Sequence, residues 1–222
     1  MKLAISNIAW KKEEDEKVYK ILNELNYSAI EIAPTRILPV NPYEKLELAR
    51  AWADELNNKY NLKVASMQSI LYGKTEKLFG DKSERDILKS YIKAGIDFAA
   101  VIGCRNLVFG SPKNRIIENI SEYEIAIEFF GELGHYASSR NTTLSIEPNP
   151  ILYGTNFINY TEEAFNIVKQ VGSNGFKVNL DFGTIIANEE NIESLADNIG
   201  LINHIHISEP NLNLIVERTQ HR

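Results

Sequence analysis

A single cysteine, Cys104, stands in a chain of 222 residues, which excludes an intramolecular disulfide and fits a reducing compartment. Its setting, Val101-Ile102-Gly103-Cys104-Arg105, reads as a helix-to-strand turn with no histidine near it in sequence. A buried structural thiol is therefore expected rather than a nucleophile. Long apolar runs are equally scarce. Nothing approaches the ~18 apolar residues of a membrane span, and Met1 to Asn7 is too short in apolar residues for the core of a signal peptide. A cytoplasmic protein with no membrane partner is the expectation. Positive charge is also in deficit, since 24 Lys plus Arg against 30 Asp plus Glu leave a formal net charge of −6. A surface that neutralises phosphates needs the opposite balance, so nucleic acid is not expected as a partner. No phosphate-cradling glycine loop, nucleophile elbow or dinucleotide fingerprint is present.

What the chain does have is alternation. Short apolar runs at Leu3–Ile8, Ala29–Ile32, Lys63–Met67, Asn106–Phe109, Thr143–Ile146, Lys177–Leu180 and His204–Ile207 read as strands. Between them lie apolar residues at helical spacing: Val18 to Leu25, Leu46 to Leu56, Ile87 to Ala99, Ile125 to Leu133, Ala164 to Val168, and a weaker set at Ile192, Leu195 and Ile199. Ser83 before Asp86 and Ser121 before Glu124 have capping-box spacing, and Thr161 opens a helix with Glu162 and Glu163 in its first turn. Seven strands and six helices describe repeated βα units, hence a (β/α)8 TIM barrel short of its last unit. No linker or charge block divides the chain, so residues 1–222 are expected to form one C-terminally incomplete barrel domain. Residues 211–222 offer at most a short helix or loop. Closure by a second copy, a homo-oligomer, is the alternative to a missing C-terminal portion.

Three segments carry the chemistry: Ser145-Ile146-Glu147-Pro148, Asn179-Leu180-Asp181 and His204-Ile205-His206. Period-two alternation puts Ser145, Glu147, Asn179, Asp181, His204 and His206 on one side of their strands, and Leu144, Ile146, Val178, Leu180, Ile205 and Ile207 on the other. Pro148 and Pro150 stop the first of these strands at the glutamate and display it at the barrel mouth. Taken singly, the groups have plainer roles: Glu147 bonded to loop backbone, Asp181 capping the next turn, a core histidine. Together, two carboxylates and an imidazole make an oxygen and nitrogen set suited to one divalent ion, Mn²⁺, Mg²⁺, Co²⁺ or Zn²⁺. Other strand ends offer Glu31, Gln68 and the cations Arg36, Lys113 and Arg115, which could hold a phosphate or carboxylate. Trp10, Tyr72 and Tyr153 are candidate walls for a sugar pocket.

With Ser145-Ile146-Glu147-Pro148-Asn149, Leu180-Asp181-Phe182-Gly183 and His204-Ile205-His206 in this order and spacing, the chain resembles the xylose isomerase-like barrel superfamily, in its sugar phosphate isomerase/epimerase branch. The resemblance runs from Leu3 to Pro210. It implies that Glu147, Asp181 and His206 bind one divalent ion and that Glu147 is also one of two acid/base glutamates. The second, a fourth ligand, belongs on an eighth strand that the chain does not contain. Thr184 stands where relatives often carry a histidine, and Leu212 where epimerases often carry an arginine. The histidines of the endonuclease pattern near Gln68 and Gly110 are absent.

The expected activity is a metal-dependent isomerase or epimerase of a sugar or sugar phosphate, moving a proton through an enediolate with Glu147 as the shuttle. Glu31, Gln68, Asn149 and Glu209 are expected to position hydroxyls, with Arg115 and His204 as further substrate contacts. The alternative is a non-catalytic or impaired barrel that binds a sugar-like ligand or a partner protein, and an endonuclease IV-like nuclease stands a distant third.

Overall fold

A computed structural model describes residues 3–215. Its strands are β1 (Ala4–Ser6), β2 (Ala29–Ile32), β3 (Lys63–Met67), β4 (Leu107–Phe109), β5 (Leu144–Ile146), β6 (Phe176–Asp181) and β7 (Ile202–His206). They form one sheet in the order β1-β2-β3-β4-β5-β6-β7, and every pair is parallel. Each strand thus ends at the same rim. The helices are α1 (Asp15–Glu24), α2 (Pro34–Ile37), α3 (Leu46–Tyr60), α4 (Lys82–Val101), α5 (Tyr123–Ser139), α6 (Thr161–Val171), α7 (Phe182–Ala187) and α8 (Leu195–Asn198). The result is a curled parallel sheet of seven βα-type strands, a TIM-barrel architecture without its final unit among the described residues. Residues 216–222, the end of the stretch expected to hold a short helix or loop, lie outside the described residues.

Crossover helices cover the outer face of the sheet. Leu107, Phe109, Leu144, Ile146, Phe176 and Val178 are fully buried there against residues of α4, α5 and α6. Phe130 of α5 is the aromatic centre, stacked on Phe176 at 4.6 Å and 15° and edge-on to Phe109 at 5.2 Å. Cys104 is buried beneath this layer, and burial pushes its thiol up to about 12. The last crossover differs. The stretch expected as one weak helix breaks into 3-10 turns around α8, with Ile192 and Ile199 exposed. Asn191, Asn198 and Gly200 interrupt it, and all three favour turns over helix. Ile205 of β7 and Ile207 just beyond it are exposed among the described residues.

Two expected caps are corrected. Asp81 rather than Ser83 starts α4, its Oδ1 accepting from Glu84 N at 2.8 Å, and α5 begins after Glu122 with no side-chain cap. α6 opens at Thr161 as expected, and Glu163 in its first turn accepts from Asn159 N at 2.6 Å and Tyr160 N at 3.2 Å.

Inside the curl the sheet is polar. Ser145 Oγ donates to Asn106 Oδ1 at 2.6 Å, Asn106 Nδ2 donates to Ser66 Oγ at 2.9 Å, and Asn203 Nδ2 reaches Asn106 Oδ1 at 2.7 Å. This hydrogen-bonded floor satisfies buried groups that would otherwise be costly. Two register shifts frame it, one between Ile30 and Glu31 against β3, the other between Val178 and Asn179 against β7. At the second, Asn203 and His204 both reach inward although adjacent in sequence, one to Asn106 and the other towards Glu31.

Candidate metal centre

Four acidic or basic side chains meet at the carboxyl end of the sheet. Glu31 comes from β2, Glu147 from the residue after β5, Asp181 from the end of β6 and His206 from the end of β7. Register places Asp181 beside His206. Ligating atoms of Glu147, Asp181 and His206 all lie within 4.8 Å of one another, and so do those of Glu31, His204 and His206. His206 belongs to both groups. Its Nδ1 is 2.6 Å from Glu147 Oε1 and its Nε2 is 2.9 Å from Glu31 Oε2.

Each carboxylate is held. Asn179 Nδ2 donates to Glu147 Oε1 at 2.7 Å, from two residues before Asp181 on the same face of β6. Ser208 Oγ donates to Asp181 Oδ1 at 2.5 Å, and Thr184 N donates to Asp181 Oδ2 at 2.9 Å. The Thr184 hydroxyl lies 2.9 Å from both Asp181 Oδ2 and Pro148 O, with one proton for the two. Asp181 therefore caps α7 and still faces the cluster, so its plainer role and its candidate role coexist. Arg115, fully buried, lies behind the strand end, with Nη2 donating to Glu147 O at 2.6 Å. Burial brings its guanidinium down to about 10, against the opposing pull of the Glu147 charge.

Electrostatics follow from this packing. Burial works against ionisation of Glu31, but hydrogen bonds from His204 and His206 outweigh it and hold the carboxyl well below its ordinary range. Burial likewise works against a charged His206, and the Glu147 charge and the bonds to both glutamates reverse the balance, raising it well above 6.5. Asp181 is pushed up, first by burial and then by the Glu147 charge, while Ser208, Thr184 and His206 pull it back.

These residues fit a divalent ion on the chemistry of the donor set, two carboxylate oxygens and an imidazole nitrogen without thiolate. They fit it also on the space kept for one ligand: a Cβ on Gly110 would overlap Glu147 Oε2. Burial and then the neighbouring Glu147 charge both work against ionised Asp181, and a cation between the two carboxylates would oppose both. Glu147, Asp181 and His206 would hold the ion.

The other residues expected at the site are distributed around it. Glu31 and His204 sit under the cluster, with His204 Nε2 3.5 Å from Glu31 Oε2. Gln68 Nε2 donates to Ser6 Oγ. Asn149 Nδ2 lies 3.1 Å from both Gly110 O and Glu147 O, and Glu209 is buried two residues beyond Ile207. Arg36 is engaged by Asp15 at 2.7 Å, Lys113 is exposed, Tyr72 is exposed, Trp10 donates to Asp15, and Tyr153 Oη accepts from Asn211 N. Ser208, Asn179 and Gly110 were given no role by sequence. Alternation marks Asn179 as inward-facing, whereas nothing local signals that Gly110 must clear a side chain from β5. Cavities of about 760 and about 260 Å³ lie away from this rim, one beside α4 and one between α1 and α3.

The family model described as xylose isomerase-like TIM barrel matches residues 19–220. The chain belongs to that family. Solved members of the same fold include a 3-keto-D-glucoside 4-epimerase from E. coli, at TM-score 0.74 and 17% identity, covering 95% of this chain and 80% of that one. A D-psicose 3-epimerase from Clostridium cellulolyticum H10 superposes at TM-score 0.75 and 18% identity, covering 94% and 73%. An AP endonuclease, family 2, from Brucella melitensis gives TM-score 0.68 and 17% identity, covering 93% and 79%. No curated protein matches the sequence. Among the described residues of this xylose isomerase-like chain, no helix is long and apolar enough to cross a membrane.

Proposed function

We propose that this chain is a metal-dependent isomerase or epimerase of a sugar or sugar derivative, working as a single barrel domain by proton transfer beside a carbonyl through an enediolate. The observation that carries the reading is the convergence of Glu147, Asp181 and His206 from three consecutive strands onto one rim. A bound divalent ion would supply Lewis acidity towards a carbonyl oxygen and its neighbouring hydroxyl. In this reading Glu147 is the carboxylate that takes and returns the proton. Asn179 fixes one of its oxygens and Gly110 leaves room beside the other. Arg115 fixes the main chain that carries it. Asn149, after β5, and Gln68, after β3, would orient hydroxyls in this reading. The same fold serves two solved sugar epimerases and an AP endonuclease, so the preference for a sugar over a nucleic acid rests on the formal net charge of −6.

One observation favours a second reading, a barrel that binds a sugar-like ligand without turning it over. Thr184 stands where the epimerase pattern often carries a histidine, and its hydroxyl is taken up between Asp181 Oδ2 and Pro148 O. A single experiment separates the readings. The chain, stripped with chelator and reloaded with Mn²⁺ or Co²⁺, is incubated with ketohexoses in deuterated water, and the proton next to the carbonyl is followed by NMR. The isomerase reading expects exchange that Glu147→Gln abolishes with the fold intact. Exchange unchanged by Glu147→Gln would overturn it, and ligand-induced stabilisation without exchange would establish the binder.

A further inference from the structure

We propose that Glu31 is a positioning residue for His206: by accepting a hydrogen bond from Nε2 it keeps the ring's remaining proton on that nitrogen when Nδ1, which faces Glu147 and Asp181, gives up its own to an ion. The inference rests on the reading of those three residues as the ligands of one ion. A neutral imidazole carries a proton on one nitrogen only, and the hydrogen bond made by one nitrogen decides which of them is free to bind a metal. Here the two nitrogens face different partners. Nδ1 points into the group formed with Glu147 and Asp181, while Nε2 is 2.9 Å from Glu31 Oε2.

Glu31 is built for a fixed position rather than for a mobile ligand. It is 5% exposed and sits within β2 just past the register shift after Ile30, paired with Ser66 of β3. His204 Nε2 approaches the same Oε2 at 3.5 Å, its ring perpendicular to that of His206 at 5.4 Å between centroids. A carboxylate gripped from two edges orients the ring and raises its basicity as a ligand.

A competing arrangement uses the same atoms, with a second ion between Glu31, His204 and His206. That arrangement requires both nitrogens of His206 to bind metal and the ring to lose both protons. The one-ion arrangement costs a single proton and keeps the Glu31 bond.

The test is calorimetric titration of the chelator-stripped chain with Co²⁺, comparing wild type, Glu31→Ala and Glu31→Gln, together with ¹⁵N-histidine NMR of the zinc-loaded wild type. We expect one ion per chain, a Kd weakened ~10–100-fold by Glu31→Ala, and recovery of most of that loss in Glu31→Gln, whose amide oxygen can accept the same proton. His206 is expected to be protonated at Nε2 and not at Nδ1. Equal affinity in wild type and Glu31→Ala would overturn the positioning role while leaving the metal site standing. So would a zinc-loaded His206 protonated at Nδ1, or two ions per chain. Failure of the wild type to bind any ion would remove the underlying site and the inference with it.

Discussion

Glu31 and His206, 175 residues apart in the chain, meet across the inside of the sheet at 2.9 Å. The contact joins the second strand to the seventh, and through Nδ1 of the same ring it continues to Glu147 beside the fifth. Three parts of the chain distant in sequence thus share one imidazole.

That sharing sets a pH signature for the metal-free protein. His206 is raised above 6.5 in the folded state, so its contribution is complete below 6.5 and is lost as pH rises through the folded value. Glu31 is held below 4.5, so its contribution is present above 4.5 and lost as pH falls through the folded value. Urea midpoints measured in chelator from about pH 5 to about pH 9 should fall on the alkaline side, and His206→Gln should flatten that fall. Identical pH profiles for the two proteins would contradict the assignment.

Gly110→Ala should disturb the site more than the fold. The added Cβ overlaps Glu147 Oε2, so the carboxylate must swing away, at a cost of about 1–3 kcal/mol for a crowded interior position. Metal affinity should drop by about tenfold or more, the equivalent of 1.4 kcal/mol, with far-UV circular dichroism unchanged. Wild-type affinity in the variant would show that Glu147 has room the structure does not display.

Ser208→Ala removes the 2.5 Å hydrogen bond to Asp181 Oδ1 and one of the groups that pull this carboxyl down. Hydrogen bonds to charged groups contribute about 1.5–3 kcal/mol. NMR titration of the Asp181 carboxyl should therefore show a further upward shift in the metal-free variant. A downward shift, or none, would mean that water replaces the hydroxyl.

Phe130→Ala tests the scaffold. The ring is fully buried between Phe176, Phe109 and Phe129, and its removal should cost about 3–5 kcal/mol in chemical denaturation. A loss below 1 kcal/mol would mean that neighbouring side chains collapse into the space.

Much of this architecture was legible in the chain. The seven strands occur where apolar runs alternate with helical spacing, and Ala29–Ile32 and Lys63–Met67 coincide with β2 and β3 to the residue. Inward alternation alone groups Glu147, Asn179, Asp181, His204 and His206. Local patterns read poorly where the decisive partner was distant. Asp81 starts α4 in place of Ser83 because its carboxylate reaches the Glu84 amide. Arg115, read as a cation for substrate, is buried behind Glu147. The crowding at Gly110 comes from a side chain of another strand, and the meeting of Glu31 with His206 depends on the curl of the whole sheet. No window of sequence contains either.

Among the described residues β7 pairs with β6 alone, and Ile205 and the following Ile207 are exposed. What braces it from within is the span of side-chain crossbars from His206 to Glu31 and Glu147 and from Asn203 to Asn106. The rim that would gather an ion therefore also braces β7. Amide hydrogen exchange along β7 should slow on metal loading, so occupancy of the mouth and rigidity of the final strand become two readings of one event.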